Sequence, residues 1–241
     1  MAISRSPNSP GSSSTSKRFS IGGGVLFAIL LPLFLILFNV TYITHSEWLY
    51  SYGWWRNDIE NRTGLPASEL NRGANQIKEY FRDDSERLDL RVNFGNTEIS
   101  LYNEREILHM IDVKALMKGV FSIVVWSGVS ILVLAVAGAL LLRKEFPDLL
   151  ARSLRWSAIG TGAFLLVFGI ASLINFGWVF TQFHFLSFAN DLWLLDPRTD
   201  YLVIMFPQQF FFEATLFIGA LTIVDFALIV GITRLLKRRY S

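Results

Sequence analysis

Four long apolar runs constrain this chain more than any other feature. They cover residues 21–44, 118–142, 157–179 and 209–236. Each is long enough to cross a bilayer as a helix, which takes about 20 apolar residues. Hydrocarbon offers the backbone no hydrogen-bond partners, so such runs are committed to helix. Charged residues make up 17% of the 241 residues and gather between the runs, while 52% are hydrophobic. With a mean hydropathy of +0.40, this is the composition of an integral membrane protein carrying one polar insert. Basic residues precede the first run, as in a cleaved signal peptide. That run is longer than a signal h-region and lacks a small-residue cleavage site before His45. Pro32 within it reads as a tolerated kink.

Several function classes drop out on composition. A net charge of +2, with no basic face interleaved with aromatics, argues against nucleic acid. The absence of cysteine removes disulfides, thiolate metal sites and a cysteine nucleophile. No phosphate-binding glycine motif or HExxH motif occurs.

The spans divide the chain and orient it. Residues 1–20 are rich in Ser, Pro and Gly, with Arg5, Lys17 and Arg18, and read as a disordered tail. Arg143, Lys144, Arg152 and Arg155 surround a turn at 143–156, and Arg234, Lys237, Arg238 and Arg239 close the chain at its 237–241 tail. With four spans, all three basic pieces fall on one side, which the positive-inside rule makes cytoplasmic. Both termini are then cytoplasmic, and the insert 45–117 and the stretch 180–208 lie outside. The expected fold is an all-α membrane protein of four transmembrane helices, with a small α+β extracytoplasmic domain between the first and second.

The insert has its own signals. Trp48, Tyr50, Tyr52, Trp54 and Trp55 form an interfacial aromatic cluster. Pro66 and Ser68 open a helix with Leu70, Ala74, Ile77 and Phe81 on one face. Leu88, Leu90 and Val92, then Ile99 and Leu101, alternate with polar residues around Asn93-Phe94-Gly95-Asn96, which predicts a hairpin. Asn103 followed by Glu106 resembles a capping box and sets a helix start at Glu104. His109, Asp112, Val113 and Leu116 share one face of that helix. His109 then stands within about 15 Å of the membrane boundary.

On this topology His45, His109 and His184 all fall at the outer face. The second and third spans are joined by a short turn, so they are antiparallel neighbours. His109 just before the second span and His184 just after the third can therefore meet. The surrounding stretch 180–208 is too apolar and aromatic for a plain connecting loop. Polar groups held at membrane depth are costly and mark function, although Trp and Tyr also serve as plain interfacial anchors. Two histidines beside Asp112, Asp191, Asp196 and Asp200 provide a base, an acid and orienting carboxylates, facing a lipid or lipid-linked substrate. Two other classes fit the same residues. A metal-dependent membrane hydrolase would use His45, His109 and His184 with an aspartate as an open zinc site. A scaffold or sensor would use the insert to bind partners and the aromatic stretch as an anchor. Asp225 within the fourth span and Asn39 near the outer end of the first are further polar groups at membrane depth. Asn39 reads as a helix–helix contact.

Two stretches carry a resemblance. Glu106-Ile107-Leu108-His109-Met110-Ile111-Asp112-Val113-Lys114, together with FHFLSFANDLWLLDPRTDYLVIMFP, resembles the family of lipoprotein intramolecular transacylases. The more specific part is FH, then N-D-x-W-x-x-D-P-x-x-D, then a proline followed by phenylalanines. The likeness covers most of the chain after its tail. In the family's pattern an acidic residue commonly follows that proline; Gln208 stands here, so a carboxylate role does not carry over. The resemblance implies an enzyme of the bacterial cytoplasmic membrane, without a cofactor or metal, acting at the outer leaflet. It would move the sn-2 acyl chain of a diacylglyceryl lipoprotein to the N-terminal cysteine amine, giving the lyso-form. It further implies His109 and His184 as catalytic residues, with Asp112 and Asp191 orienting them. Asn190 and Trp193 join the substrate-binding or orienting set, Asp196-Pro197 shapes the loop, and Asp200 belongs to the same group. The partners implied are the lipoprotein substrate and membrane lipids, and the oligomeric state is left open.

Overall fold

A computed structural model describes residues 11–239, with side chains from 20 to 235. Among the described residues, three helical stretches are long and apolar enough to cross a membrane: Ser20–Thr44, Glu104–Ser187 and Gln208–Leu235. The middle one is folded back on itself. A single 3-10 turn, Arg143–Glu145, divides it into α5 (Glu104–Leu142) and α6 (Phe146–Ser187). Arg143 takes the left-handed φ of 41° there, and Pro147, at the start of α6, suits a first helical turn because its missing N–H is not needed. The reversal is tight because Gly138 faces the ring of Phe146, where a Cβ would sit 2.6 Å from ring carbon.

α1 (Gly11–Thr44) is the hub, packing against α5, α6 and α8 (Gln208–Arg239). Gly24 lets α6 come close, since a Cβ would meet Leu149 at 2.7 Å; small residues serve such contacts between membrane helices. Phe27, Leu31, Leu35, Leu154 and Phe226 fill the seam. Polar groups in the bundle bond across it: Asn39 donates to Asp225 at 2.8 Å and to Thr222 at 3.1 Å, and Ser157 donates to the Ala28 carbonyl at 3.1 Å. Asn39 is thus the helix–helix contact expected, and Asp225 is its partner. Leu140, Leu166, Val167, Leu173 and Ile174 point outward and exposed, as lipid-facing side chains must.

The insert folds at the end of the bundle opposite the 3-10 turn. It comprises α2 (Glu47–Arg56), α3 (Ile59–Thr63), α4 (Ala67–Tyr80) and a hairpin of β1 (Arg91–Phe94) and β2 (Thr97–Ser100). The hairpin pairs Phe94 with Thr97 and turns through Gly95 at φ +64°, a conformation glycine adopts without steric cost. α4 buries Leu70, Gly73, Ala74 and Ile77, as its spacing predicts. It also covers the outer edge of β1: Gln76 bonds both the N–H and the carbonyl of Arg91, and Glu69 accepts from Asn93 N–H. A two-stranded sheet left with a bare edge would be marginal and sticky.

The core under this insert is not made by the insert alone. Met205 on α7 (Tyr201–Met205), then Phe206, Phe210 and Ala214, pack into the cluster of Ile43, Tyr50, Trp54, Leu70, Leu90 and Val92.

Four boundaries differ from those expected. The helix begins at Gly11, so residues 11–20 continue α1 rather than belong to a disordered tail, and the rest of that tail lies outside the described residues. The turn at 143–156 shrinks to Arg143–Glu145, because Phe146 already starts a helix. α6 runs on to Ser187, so the first residues of the 180–208 loop are helical. Phe81 closes α4 as its C-cap instead of joining its buried face.

Candidate active site

The site begins at a helix cap. Asn103 Oδ1 accepts from Glu106 N–H at 3.1 Å, and Glu106 returns the contact by accepting from Asn103 N–H at 2.7 Å. This reciprocal box satisfies two donors that a helix start leaves free. Glu106 also does something a surface cap would not. It is buried, 1% exposed, and its second oxygen accepts from Leu202 N–H at 2.6 Å. Asn103 Nδ2 donates to Asp200 Oδ1 at 3.0 Å. The start of α7 is therefore held on the first turn of α5, which sets where the segment 188–200 can run.

One turn further along α5, His109 is buried. Its partner comes from α6. That helix breaks at Asn175, whose φ of −156° and ψ of 81° are not helical. Asn175 Oδ1 then accepts from Trp178 N–H at 2.9 Å, capping a second helical half that carries His184. The two imidazole centroids lie 6.2 Å apart with planes 30° off parallel. Aromatic rings enclose them. Phe188 meets His109 edge-on at 5.1 Å, Phe180 and Phe183 approach His184 at 4.4 and 5.4 Å, and Trp193 lies on it at 4.8 Å.

Hydrogen bonding defines one tautomer. His184 Nδ1 lies 2.6 Å from the Phe180 carbonyl oxygen, which can only accept. Nδ1 therefore carries the proton, and in the neutral ring Nε2 is left as a lone-pair acceptor. His109 Nδ1 is buried and has no hydrogen-bond partner.

A strap, residues 188–200, crosses these rings. Asn190 Nδ2 donates to Asp112 Oδ2 at 2.9 Å, and Trp193 Nε1 donates to the Asn190 carbonyl at 2.9 Å. Asn190 thus links Asp112, three residues after His109, to the indole that covers His184. Arg105, four residues before His109, donates Nη2 to the Asp191 carbonyl and lies 3.5 Å from the Asp191 carboxylate. The strap is held on both sides of His109.

The expected residues separate into two groups. His109, His184, Asp112, Asn190 and Trp193 form one contiguous cluster. Asp191 stands at the rim against Arg105. Asp196 is bound by Arg198 at 2.6 Å, and those guanidinium hydrogen bonds hold its carboxyl at about 2. Asp200 accepts from Asp196 N–H at 2.7 Å and precedes α7. Both shape the strap. His45 bonds the Thr41 carbonyl at 2.8 Å at the end of α1. Among the described residues, no three His, Cys, Asp or Glu side chains are grouped to hold a metal ion, so the open zinc site lacks a ligand set.

Two neighbours went unnoticed in sequence as chemistry. Glu106 reads as a capping residue and as the first residue of the resembling stretch, and nothing singles out Arg105. Their one sequence signal is the run Glu104-Arg105-Glu106 one turn before a histidine.

Comparison with known proteins gives concordant results. The sequence model of a family described as lipoprotein intramolecular transacylase Lit matches residues 25–211. An uncharacterised protein of Aquifex aeolicus (strain VF5) is 29% identical over 196 residues, covering 80% of this chain and 83% of that protein. The in meso structure of the membrane-integral transacylase Lit from Bacillus cereus superposes with a TM-score of 0.75 at 19% identity, covering 95% of this chain and 100% of the other. A variant of that protein with one histidine replaced by alanine gives a TM-score of 0.69 at 17% identity, covering 95% and 97%.

Proposed function

This chain belongs to the lipoprotein intramolecular transacylase family, and on that premise we propose that His109 and His184 conduct the proton transfers of an acyl migration within one bound lipoprotein. The observation that carries the reading is the pairing itself: two imidazoles from separate helices, 6.2 Å apart, beneath a cover of aromatic rings. The protein is a membrane-integral acyltransferase. The substrate is a diacylglyceryl lipoprotein, and the product is its N-acylated lyso-form.

The reaction needs little else. The α-amine of the lipidated cysteine attacks the carbonyl carbon of the sn-2 ester and must lose a proton. The glycerol oxygen leaves and must gain one. Acyl group and acceptor remain on one molecule, so the reaction calls for no cofactor or second substrate. His184, with Nδ1–H spent on Phe180 and Nε2 free, is the base that receives the amine proton. His109 delivers a proton to the leaving oxygen. Asp112 orients His109 and is itself held by Asn190, while Trp193 fixes the plane of His184. General acid–base assistance of this kind contributes roughly 10²–10⁴-fold. Holding amine and ester of one substrate in register supplies more by removing the entropy of encounter. The rings of Phe180, Phe183 and Phe188 receive acyl chain and exclude water.

The arrangement in the membrane follows the charge pattern. Four spans place both termini and the 3-10 turn in the cytoplasm, and the insert and strap at the outer leaflet of the bacterial cytoplasmic membrane. The decisive experiment is mass spectrometry of lipoprotein N-termini from a host lacking N-acylation of its own, with and without this protein. The expected product is peptide with an N-acylated cysteine and one remaining ester. Unchanged diacyl, free-amine peptide in both samples would rule the reading out.

A further inference from the structure

Arg105 carries the most informative unmet polar group outside the histidine pair. Among the described residues, Arg105 Nε and His109 Nδ1 are both buried side-chain atoms without a hydrogen-bond partner. They stand four residues apart on α5, on one face, with Cβ atoms about 5–6 Å apart. At the far end of the guanidinium, Nη2 donates to the Asp191 carbonyl and lies by its carboxylate, which ties the planar group to the strap. A buried donor left unpaired is costly, and such groups persist in native proteins where a ligand completes them.

Several donors around the pair are already engaged. His184 Nδ1 goes to Phe180, Asn190 Nδ2 to Asp112, and Trp193 Nε1 to Asn190. The strap N–H groups of Phe188, Leu192, Leu194 and Leu195 also have partners. The histidines are occupied with the two transferred protons. Yet acyl transfer from an ester must place negative charge on the carbonyl oxygen, and a site that stabilises it needs a fixed donor aimed there.

We propose that Arg105 is a catalytic residue whose Nε–H binds the sn-2 ester carbonyl oxygen and stabilises the oxyanion of the tetrahedral intermediate. This rests on the acyl-migration reading above. The amine lone pair forms the C–N bond, and the carbonyl π pair moves onto oxygen facing Nε–H. The ammonium proton passes to His184. When the oxygen pair re-forms the carbonyl, the bond from carbon to the glycerol oxygen breaks, and that oxygen takes a proton from His109. The proton held by His184 passes on to His109, leaving both imidazoles neutral as they began. No group beyond substrate and side chains is consumed. The Nη2 contact to Asp191 sets the angle of the fork, and Asp191 is thereby a positioning residue.

The test compares wild-type protein with Arg105→Ala and Arg105→Lys in lipid vesicles, using a synthetic diacylglyceryl lipopeptide and an analogue with a phosphonate in place of the sn-2 ester. For Arg105→Ala, kcat should fall about 10²–10³-fold with KM changed less than about threefold. Phosphonate affinity should fall by a similar factor as kcat, while affinity for the ester substrate stays. Added guanidinium ion should restore part of the rate to Arg105→Ala, and Arg105→Lys should fall between the two. A rate within threefold of wild type in Arg105→Ala overturns the proposal and leaves the acyl-migration reading standing. Equal loss of ester and phosphonate binding overturns it as well, by making Arg105 a holder of the strap. Wild-type protein that makes no lyso-form overturns both. Should Arg105→Ala fail to accumulate, the phosphonate-to-ester affinity ratio of Arg105→Lys decides: an unchanged ratio overturns the proposal and a reduced one supports it.

Discussion

His184 is tied to Phe180, one turn back on its own helix, by a 2.6 Å bond from Nδ1–H to the backbone carbonyl. A main-chain acceptor cannot rotate away or change its protonation, so the ring is fixed in orientation and tautomer at once. On the proposed mechanism, loss of the ring removes the base entirely. His184→Ala and His109→Ala are each expected to abolish lyso-lipoprotein formation without lowering membrane abundance. The double variant should be little worse than either single one, because half of a coupled proton transfer is useless. His45→Ala should retain most activity. Mass spectrometry of the lipoprotein N-terminus reads all four, and full activity in either single variant of the pair would remove the mechanism.

Asp112 works through a hydrogen bond that a carboxamide can keep. Asn190 Nδ2 donates to Asp112 Oδ2, and an asparagine at that position still offers an oxygen. Asp112→Asn should give a partial loss, and Asp112→Ala a loss of about 10–100-fold in kcat, the scale of one hydrogen bond to a charged group. Steady-state rates at saturating lipopeptide distinguish them. An Asn variant worse than the Ala variant would contradict an orienting role.

Glu106 should matter to folding before it matters to chemistry. Its carboxylate satisfies the N–H groups of Asn103 and Leu202, and removing it leaves both unpaired in a buried place. Glu106→Ala is expected to cost about 2–5 kcal/mol of stability. Glu106→Gln keeps one acceptor and should cost less. Thermal unfolding in detergent gives the order, and an Ala variant as stable as wild type would mean that water satisfies those groups.

A pH dependence follows from Asp83. Lys114 Nζ donates to its carboxylate at 2.8 Å, bonds the Ser85 carbonyl at 2.7 Å and lies 4.0 Å from the centre of the Tyr80 ring. The hydrogen bond from Lys114 holds the Asp83 carboxyl at about 2. A depressed acid stabilises the fold above its unfolded pKa of roughly 3.9, and that contribution fades as pH falls toward 2. The unfolding temperature of Asp83→Asn should thus lie below wild type at pH 7, with the gap shrinking steadily below about pH 4. A gap independent of pH would show that the ion pair contributes nothing.

The orientation in the membrane is open to direct labelling. Asn96 and Lys144 are both exposed, at the hairpin and at the 3-10 turn, and the chain has no cysteine of its own. Asn96→Cys should react with an impermeant maleimide in intact cells, and Lys144→Cys only after permeabilisation. The reverse pattern would invert the topology and move the site to the inner leaflet.

What was legible in the sequence was what lies close in it or follows from span geometry. The Asn103–Glu106 box, the Asn93–Asn96 hairpin and the apolar face of α4 are local patterns, and each folds as its spacing predicts. The approach of His109 to His184 came from two helices joined by a short turn. What stayed hidden involves partners distant along the chain with no periodicity to announce them. Nothing near Glu106 indicates that its second oxygen serves Leu202, 96 residues away. Arg105 is adjacent to a glutamate that looks solvated, so its buried Nε could not be foreseen. The extension of α6 through His184 stayed hidden because the apolar run ends at Val179 while the helical half restarted by Asn175 continues to Ser187.

The insert's core has a consequence for how the protein is made. Met205, Phe206, Phe210 and Ala214 complete a cluster whose other members lie between Ile43 and Met110. A ribosome that has finished β2 has therefore produced a domain still missing one wall, and roughly a hundred more residues must be threaded before it arrives. Through that interval the cluster of Leu70, Leu90 and Val92 lacks the side that Met205 and Phe206 supply. Arrival of the last helix shuts the domain and, through Leu202 and Asp200, seats the strap over the histidines in the same event. On the proposed mechanism, a chain truncated before residue 200 is expected to be inactive for want of a finished wall as much as for want of a missing side chain.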